Sequence, residues 1–367
     1  MNPIQIFAAV LAAVCVVFAV VSPRRDRAGA KLPGLFFLLA AILLSVLSTE
    51  PIYVCLGWWL TLAPFALGLF GPEGRRKGIL GALAVSALAL TVALFLPAGG
   101  AVAGIALFVA VWVRAGLFPF QGWMVDAFEN GPLLPMALLV AGQAGDALLA
   151  RQGLPGWVGA AALVAAVLAS LRNFAEHKPR RIIVNVAISH SAFVIAGLLS
   201  RNEEGLAGAG LHAFVLAIAL GTMCAVLRLL EVRVMDVVDP AGKLGLAVRV
   251  PQLAVMFLIG ALALFGLPGT LGYVSEDLLF QGVLESRSWI GLCLLFATAF
   301  NAISLLRLYS TMFLGVLPKH VLIIPDAQPR ERWPILLCAL VLIAGGIMPK
   351  YVVRLVAPAA ATAAAHG

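Results

Sequence analysis

The chain has 367 residues, 62% of them hydrophobic and 11% charged, with a mean hydropathy of +1.05. A soluble domain carries roughly a quarter charged residues, so this composition excludes a soluble globular protein and describes a polytopic membrane protein. The formal net charge of +8 sits in basic residues gathered in a few loops between apolar runs, which is a topology signal and no argument for nucleic acid as a partner.

At about 20 apolar residues per span, the length allows roughly a dozen crossings. The first run, Ile4 to Val21, lacks a basic leading segment and a clear cleavage site, so it reads as a retained helix, not a signal peptide. Crossings at about 33–49, 51–70 and 79–96 follow. The fifth, 101–129, is broken: Arg114 stands beside Gly116 and Pro119 in VWVRAGLFPFQGWMVDAFENGP. The sixth, 133–150, holds Asp146 in AGQAGDALLA. Crossings at 156–171, 182–199 and 206–230 come next, with His190 near the middle of the eighth and His212 in the ninth. The tenth, 251–286, breaks at Gly266-Leu267-Pro268-Gly269 and leads into Ser275-Glu276-Asp277. Crossings at 289–315, with Arg307 near the end, and 333–356 precede an Ala-rich tail from Ala357 to Gly367.

Loops after odd-numbered crossings hold eighteen basic residues: Arg24, Arg25, Arg27, Lys31, Arg75, Arg76, Lys77, Arg172, Lys178, Arg180, Arg181, Arg228, Arg233, Lys243, Arg249, Lys319, Arg330 and Arg332. The other side holds five, Arg151, Arg201, Arg287, Lys350 and Arg354. The excess marks the first side as cytoplasmic and predicts both termini outside the inner membrane. The strongly basic loop Arg172 to Arg181 reads as a topology determinant meeting anionic lipid. Counted this way, the two broken crossings lie five apart and run in opposite directions, as an inverted-topology repeat requires. The predicted architecture is therefore an all-α polytopic bundle of about 12 transmembrane helices. It divides into an N-terminal helix and basic loop (1–32), a first five-helix inverted repeat (33–150), a second (151–315) and a C-terminal loop, helix and tail (316–367), with a broken helix in each repeat.

Isolated charges and opened backbone are expensive in hydrocarbon, so the residues at these breaks are the candidates for function. Arg114 is either an electrostatic post in an ion path or a structural partner of Asp146 or of open carbonyls. Asp146 is its counter-ion or a proton carrier. Glu276 reads as a proton exit group or, with Asp277, as a carboxylate pair capping the second half-helix. His190 and His212 are either bonded core residues or relay groups. Arg307 is expected to snorkel, or to bind lipid or a partner carboxylate. Cys15, Cys55, Cys224, Cys293 and Cys338 lie singly in apolar runs, and no metal spacing, P-loop or dinucleotide fingerprint occurs, so neither a metal nor a cofactor is expected.

Several stretches resemble the antiporter-like membrane subunits of respiratory complex I and the related Mrp cation/proton antiporters. Pro119, Trp123, Asp126 and Ala127 match the stretch that follows the family's first broken helix. Lys178-Pro-Arg-Arg-Ile with Ile188-Ser-His-Ser, His212-Ala-Phe, Gly266-Leu-Pro-Gly-Thr with Ser275-Glu276, and Leu306-Arg307-Leu-Tyr resemble later motifs in the same order. The likeness covers about residues 50–315. Compared with the family pattern, two N-terminal crossings are expected to be missing.

The resemblance implies a proton-translocating subunit of a complex I-like NADH:quinone oxidoreductase or related assembly. Redox chemistry would sit on partner subunits, and protons or monovalent cations would move along a midplane line of Lys, Glu and His. It also marks departures. Trp59 replaces the family carboxylate, Arg114 the family lysine, Ala137 a histidine and Leu216 the central lysine. Arg stays charged at any accessible pH and is a poor proton donor. Two alternatives stay open: a membrane subunit of a cation/proton antiporter or of an ion-driven inorganic-carbon uptake system, and a non-conducting scaffold. The candidate polar path is Arg114, Asp146, His190, His212 and Glu276, with Asp277 and Arg307 secondary.

Overall fold

The computed structural model describes residues 3–23, 26, 31–48, 50–70, 76–97, 100–146, 154–234, 244–286, 288–316 and 324–354. Every regular element among them is helical. In order these are α1 (Pro3–Val21), α2 (Lys31–Leu47), α3 (Pro51–Leu60), α4 (Ala63–Ala66), α5 (Arg76–Phe95), α6 (Ala101–Arg114), α7 (Gly122–Asn130), α8 (Leu133–Asp146), α9 (Trp157–Arg172), α10 (Pro179–Leu198), α11 (Glu203–Val234), α12 (Pro251–Leu264), α13 (Leu271–Ser286), α14 (Ser288–Phe313) and α15 (Pro329–Ile347). A short 3₁₀ turn, Leu246–Val248, precedes α12.

Proline opens α3, α10, α12 and α15, where a missing N–H costs nothing because the first turn has no intrahelical acceptor for it. Among the described residues, four stretches are long and apolar enough to cross a bilayer by length and composition: Lys77–Phe95, Pro179–Leu198, Glu203–Val234 and Trp289–Phe313. Their burial separates centre from rim. The spanning windows of α10 and α11 are 94% and 89% buried, those of α5 and α14 only 28% and 33%. The centre of the molecule is α11, whose 32 residues rise about 48 Å. Around it pack α1, α8, α10, α12, α13 and α15.

Both predicted breaks are present and end their first half-helix in the same way. Gly116 and Gly266 adopt φ +62° and +65°. At each, the glycine N–H bonds the carbonyl three residues back (Val113, 3.1 Å; Ala263, 3.4 Å). The next N–H reaches five back (Leu117 to Trp112, 3.2 Å; Leu267 to Leu262, 3.0 Å). This is a Schellman cap, which satisfies carbonyls that lipid cannot. The first break is sealed further by indoles: Trp123 donates to the Val113 carbonyl at 2.8 Å and Trp112 to that of Phe118 at 2.8 Å.

Some boundaries differ from the sequence expectation. The third crossing is interrupted, with α3 ending at Leu60 and Pro64 lying in the first turn of α4. The ninth helix is longer than 206–230, running from Glu203 to Val234. The twelfth starts at Pro329 behind a Gln328–Glu331 capping box and stops at Ile347, before the helical stretch 349–354.

One end of the bundle is laced by ion pairs among the basic loops. Arg228 bonds both oxygens of Asp26 (2.6 and 2.8 Å) and reaches Glu231 at 3.1 Å. Arg180 forks onto Glu231 at 2.5 and 2.7 Å, and its other nitrogen holds the carbonyls of Phe128, Glu129 and Gly131 at the end of α7. Glu129 takes Lys178 and Arg181, and Arg233 pairs with Glu331. At the opposite end, Asn202 ties the start of α11 to Gly282 (2.7 Å) and Glu285 (3.0 Å) of α13.

Candidate functional site

His190, His212, Ser275 and Glu276 converge where α10, α11 and α13 meet. All four side chains are buried, the least buried being Glu276 at 8% exposure. His190 Nδ1 lies 2.8 Å from His212 Nε2, and the rings stack with centroids 5.0 Å apart. His212 Nδ1 lies 3.0 Å from Ser275 Oγ, whose own hydroxyl donates to the Gly272 carbonyl at 2.8 Å.

That last bond orders the protons. With its hydrogen committed to Gly272, Ser275 Oγ accepts from His212 Nδ1–H. A neutral His212 then has a bare Nε2, which accepts from His190 Nδ1–H. His190 Nε2 is left as a lone pair without a protein donor, and Glu276 Oε1 is likewise unpartnered. One donor atom from each of His190, His212 and Glu276 lies within 4.8 Å of the others. The trio offers a two-histidine, one-carboxylate donor set, yet both His212 nitrogens are already engaged, so the arrangement suits proton hand-over better than coordination.

α13 places Glu276 by means of glycines. A Cβ on Gly266 would stand 2.5 Å from Glu276 Oε2, and one on Gly272 would stand 1.6 Å from the Ala263 carbonyl oxygen. The start of α13 therefore tucks directly beside the end of α12. Because α13 begins at Leu271, Glu276 and Asp277 lie beyond its first turn, and the capping alternative fails. Asp277 faces outward and accepts a bond from Gln281 at 3.1 Å.

The first break forms a separate polar spot. Arg114, 2% exposed, lies over the Trp58 ring at 4.3 Å and donates to Thr61 Oγ1 at 3.3 and 3.4 Å. Trp58, not Trp59, is its aromatic neighbour. Trp59 is 41% exposed and bonds Thr91 at 3.1 Å, because successive helix residues point about 100° apart. The side chain of Asp146 lies outside the described residues. Ala137 and Leu216 are fully packed.

Arg307 does not reach toward lipid. It donates to the carbonyls of Phe174 (3.0 Å), Asn173 and Glu176 (2.7 Å), because a guanidinium fork at that depth meets the open end of α9 first. Sequence reading also missed a polar seam between α9, α10 and α14. Asn301 donates to Ser189 Oγ at 2.9 Å, Ser189 donates to the Ala166 carbonyl at 3.1 Å, and Asn185 donates to Asn173 Oδ1 at 3.0 Å. The signal was available: Asn185 and Ser189 are polar residues four apart within an apolar span.

A family model described as NADH:quinone oxidoreductase/Mrp antiporter, transmembrane, matches residues 78–301, which is most of the chain and both breaks. The chain belongs to this family. NADH-quinone oxidoreductase subunit M of Rhodobacter capsulatus is 28% identical over 273 residues, covering 70% of this chain and 52% of that protein. The chain thus spans about half the length of the curated relatives it matches. Among solved structures, a chain of respiratory complex I from Thermus thermophilus superposes with a TM-score of 0.83 at 19% identity, covering 99% of this chain and 85% of that one. A chain of the Mrp complex from Dietzia sp. DQ12-45-1b gives a TM-score of 0.83 at 18% identity, over 98% of this chain and 44% of that one. The antiporter-like fold is therefore that of an integral membrane protein, as the resemblance implied.

Proposed function

We propose that this chain is a proton-translocating, antiporter-like subunit of a complex I-like membrane assembly, and that His190, His212 and Glu276 carry its proton relay. The supporting observation is the hydrogen-bonded histidine pair with a buried carboxylate in reach, since ionisable groups inside a membrane bundle mark proton and ion pathways. A proton received at His190 Nε2 allows Nδ1–H to pass to His212 Nε2; His212 then gives its Nδ1–H to Ser275 Oγ as the Ser275 hydroxyl turns from the Gly272 carbonyl and hands its own proton to Glu276. Redox chemistry belongs to partner subunits. Arg114, Asp146, Asp277 and Arg307 serve this relay by field and packing, not by titration. The twelve crossings form two inverted five-helix halves, 33–150 and 151–315, with the ion-paired end cytoplasmic and both termini outside.

The test is proton flux in vesicles holding the assembled complex. Glu276→Gln is expected to lower flux at least about tenfold with assembly retained, since proton transfer by a positioned group contributes about a hundredfold or more. Unchanged flux removes Glu276 from the path and leaves a scaffold. The Mrp-like reading, which the family model's description also covers, predicts in addition that flux requires sodium or potassium on the opposite side.

A further inference from the structure

We propose that His190, His212 and Glu276 also form a binding site for a divalent transition-metal ion of the zinc class, and that the ion, seated between the two imidazoles, shuts the proton path. The inhibition rests on the relay reading; the coordination stands on the donor atoms alone.

Among the described residues these three are the one group of His, Cys, Asp or Glu side chains close enough to share a metal ion, with one donor atom from each within 4.8 Å of the others. Sequence spacing gave no sign of it, because the ligands come from three helices, α10, α11 and α13. Two imidazoles and a carboxylate are a set that zinc accepts, with water in the fourth position. Imidazole nitrogen also selects against magnesium and calcium, which take oxygen ligands.

The resting hydrogen bonds set the condition for entry. His190 Nδ1 and His212 Nε2 face each other at 2.8 Å with one proton between them, and a metal ion has to take that proton's place. His190 Nε2 has no protein partner, so the ring can carry its hydrogen there without breaking another bond. His190 Nδ1 and His212 Nε2 then turn two lone pairs toward one point, which a cation bridges. Two nitrogens on one tetrahedral zinc, each at about 2.0–2.1 Å, stand about 3.3 Å apart. The rings therefore part by about half an ångström and turn toward the ion. His212 keeps its Nδ1–H on Ser275 Oγ at 3.0 Å, the outer bond that fixes the tautomer and orientation of a ligating imidazole. Glu276 Oε1, buried and without a protein partner, is the carboxylate ligand. With the ion in place His190 Nδ1 has no proton to give and His212 Nε2 has no lone pair to receive one, so hand-over stops between them.

The test uses the assembled complex in detergent, washed with a mild chelator and incubated with zinc or cobalt(II) chloride to constant content. Metal per complex is counted by mass spectrometry, and the ligands are read from X-ray absorption at the zinc edge and from the visible bands of tetrahedral cobalt. Wild type is expected to hold one zinc more per complex than His212→Gln, with two-imidazole scattering that the variant lacks. His177→Gln, at an exposed histidine, is expected to bind as wild type does. Ser275→Ala removes only the outer bond and is expected to weaken binding about tenfold or more, which keeps the test decisive where His212→Gln does not assemble. Equal zinc content and spectra in wild type, His212→Gln and Ser275→Ala mean an ion held elsewhere and overturn the site, as does a wild type that takes up none. Proton flux in vesicles tells the two readings apart. Full flux with the site loaded removes the relay and keeps the metal site; flux lowered by Glu276→Gln in a complex that takes up no zinc keeps the relay and removes the metal site.

Discussion

Gly266 holds a backbone φ of +65°, and its α-carbon stands against the Glu276 carboxylate. Gly269 is also left-handed, at φ +92°, but has open space where a Cβ would go. The pair separates strain from crowding. Gly269→Ala is expected to cost the left-handed penalty of about 1–2 kcal/mol. Gly266→Ala is expected to cost the same and also to displace Glu276. Melting of the solubilised complex should rank the two close together, while flux should fall only in Gly266→Ala. At the other break, Trp58→Leu removes the ring beneath Arg114, worth about 2 kcal/mol for a desolvated pair. A melting temperature unchanged by that substitution would reject the stacking as a source of stability.

At the scale of elements, α11 and α13 touch backbone to backbone. A Cβ on Gly282 would lie 2.2 Å from the Gly205 nitrogen, and one on Gly208 would lie 2.5 Å from the Leu279 nitrogen. Small residues permit this approach, and in lipid close packing is what holds helices together. The same crossing carries His212 on one helix and Ser275 and Glu276 on the other, so the glycines set the spacing of these side chains. Gly282→Leu should therefore block assembly or abolish flux. Gly81→Ala, with nothing within 4 Å, should be neutral or stabilising by up to about 1 kcal/mol through helix propensity. Comparable damage from both substitutions, scored by complex yield, would mean that the close crossing is not the cause.

For the whole molecule, the ion-paired end determines how the parts are joined. Arg180 binds Glu231 of α11 and three carbonyls closing α7, so a single guanidinium ties the first broken crossing to the central helix. Arg180→Leu strands those carbonyls, leaves Glu231 with Arg228 alone, and is expected to cost on the order of 3 kcal/mol. Arg180→Lys should rescue little, because an ammonium cannot serve two planar targets. Full rescue by lysine, read by thermal melting, would show that charge alone matters there. The Arg228–Asp26 and Arg233–Glu331 pairs extend the lacing to the segment after α1 and to α15.

Composition, the apolar runs and the Gly/Pro breaks were legible because the bilayer imposes them residue by residue. A span must be apolar, a break needs a left-handed glycine, and a buried charge is rare enough to stand out. Gly116, Gly266, Arg114, His190, His212 and Glu276 were all readable on that basis. The tertiary structure decided which of them meet: His190 bonds His212, Trp58 rather than Trp59 lies under Arg114, Arg307 turns to the end of α9, and Ser189 finds Asn301 across the bundle. These helices are apolar on every side and lie in a solvent as apolar as their own core. No hydrophobic stripe in the sequence therefore states which face turns inward, and only close packing between helices selects it.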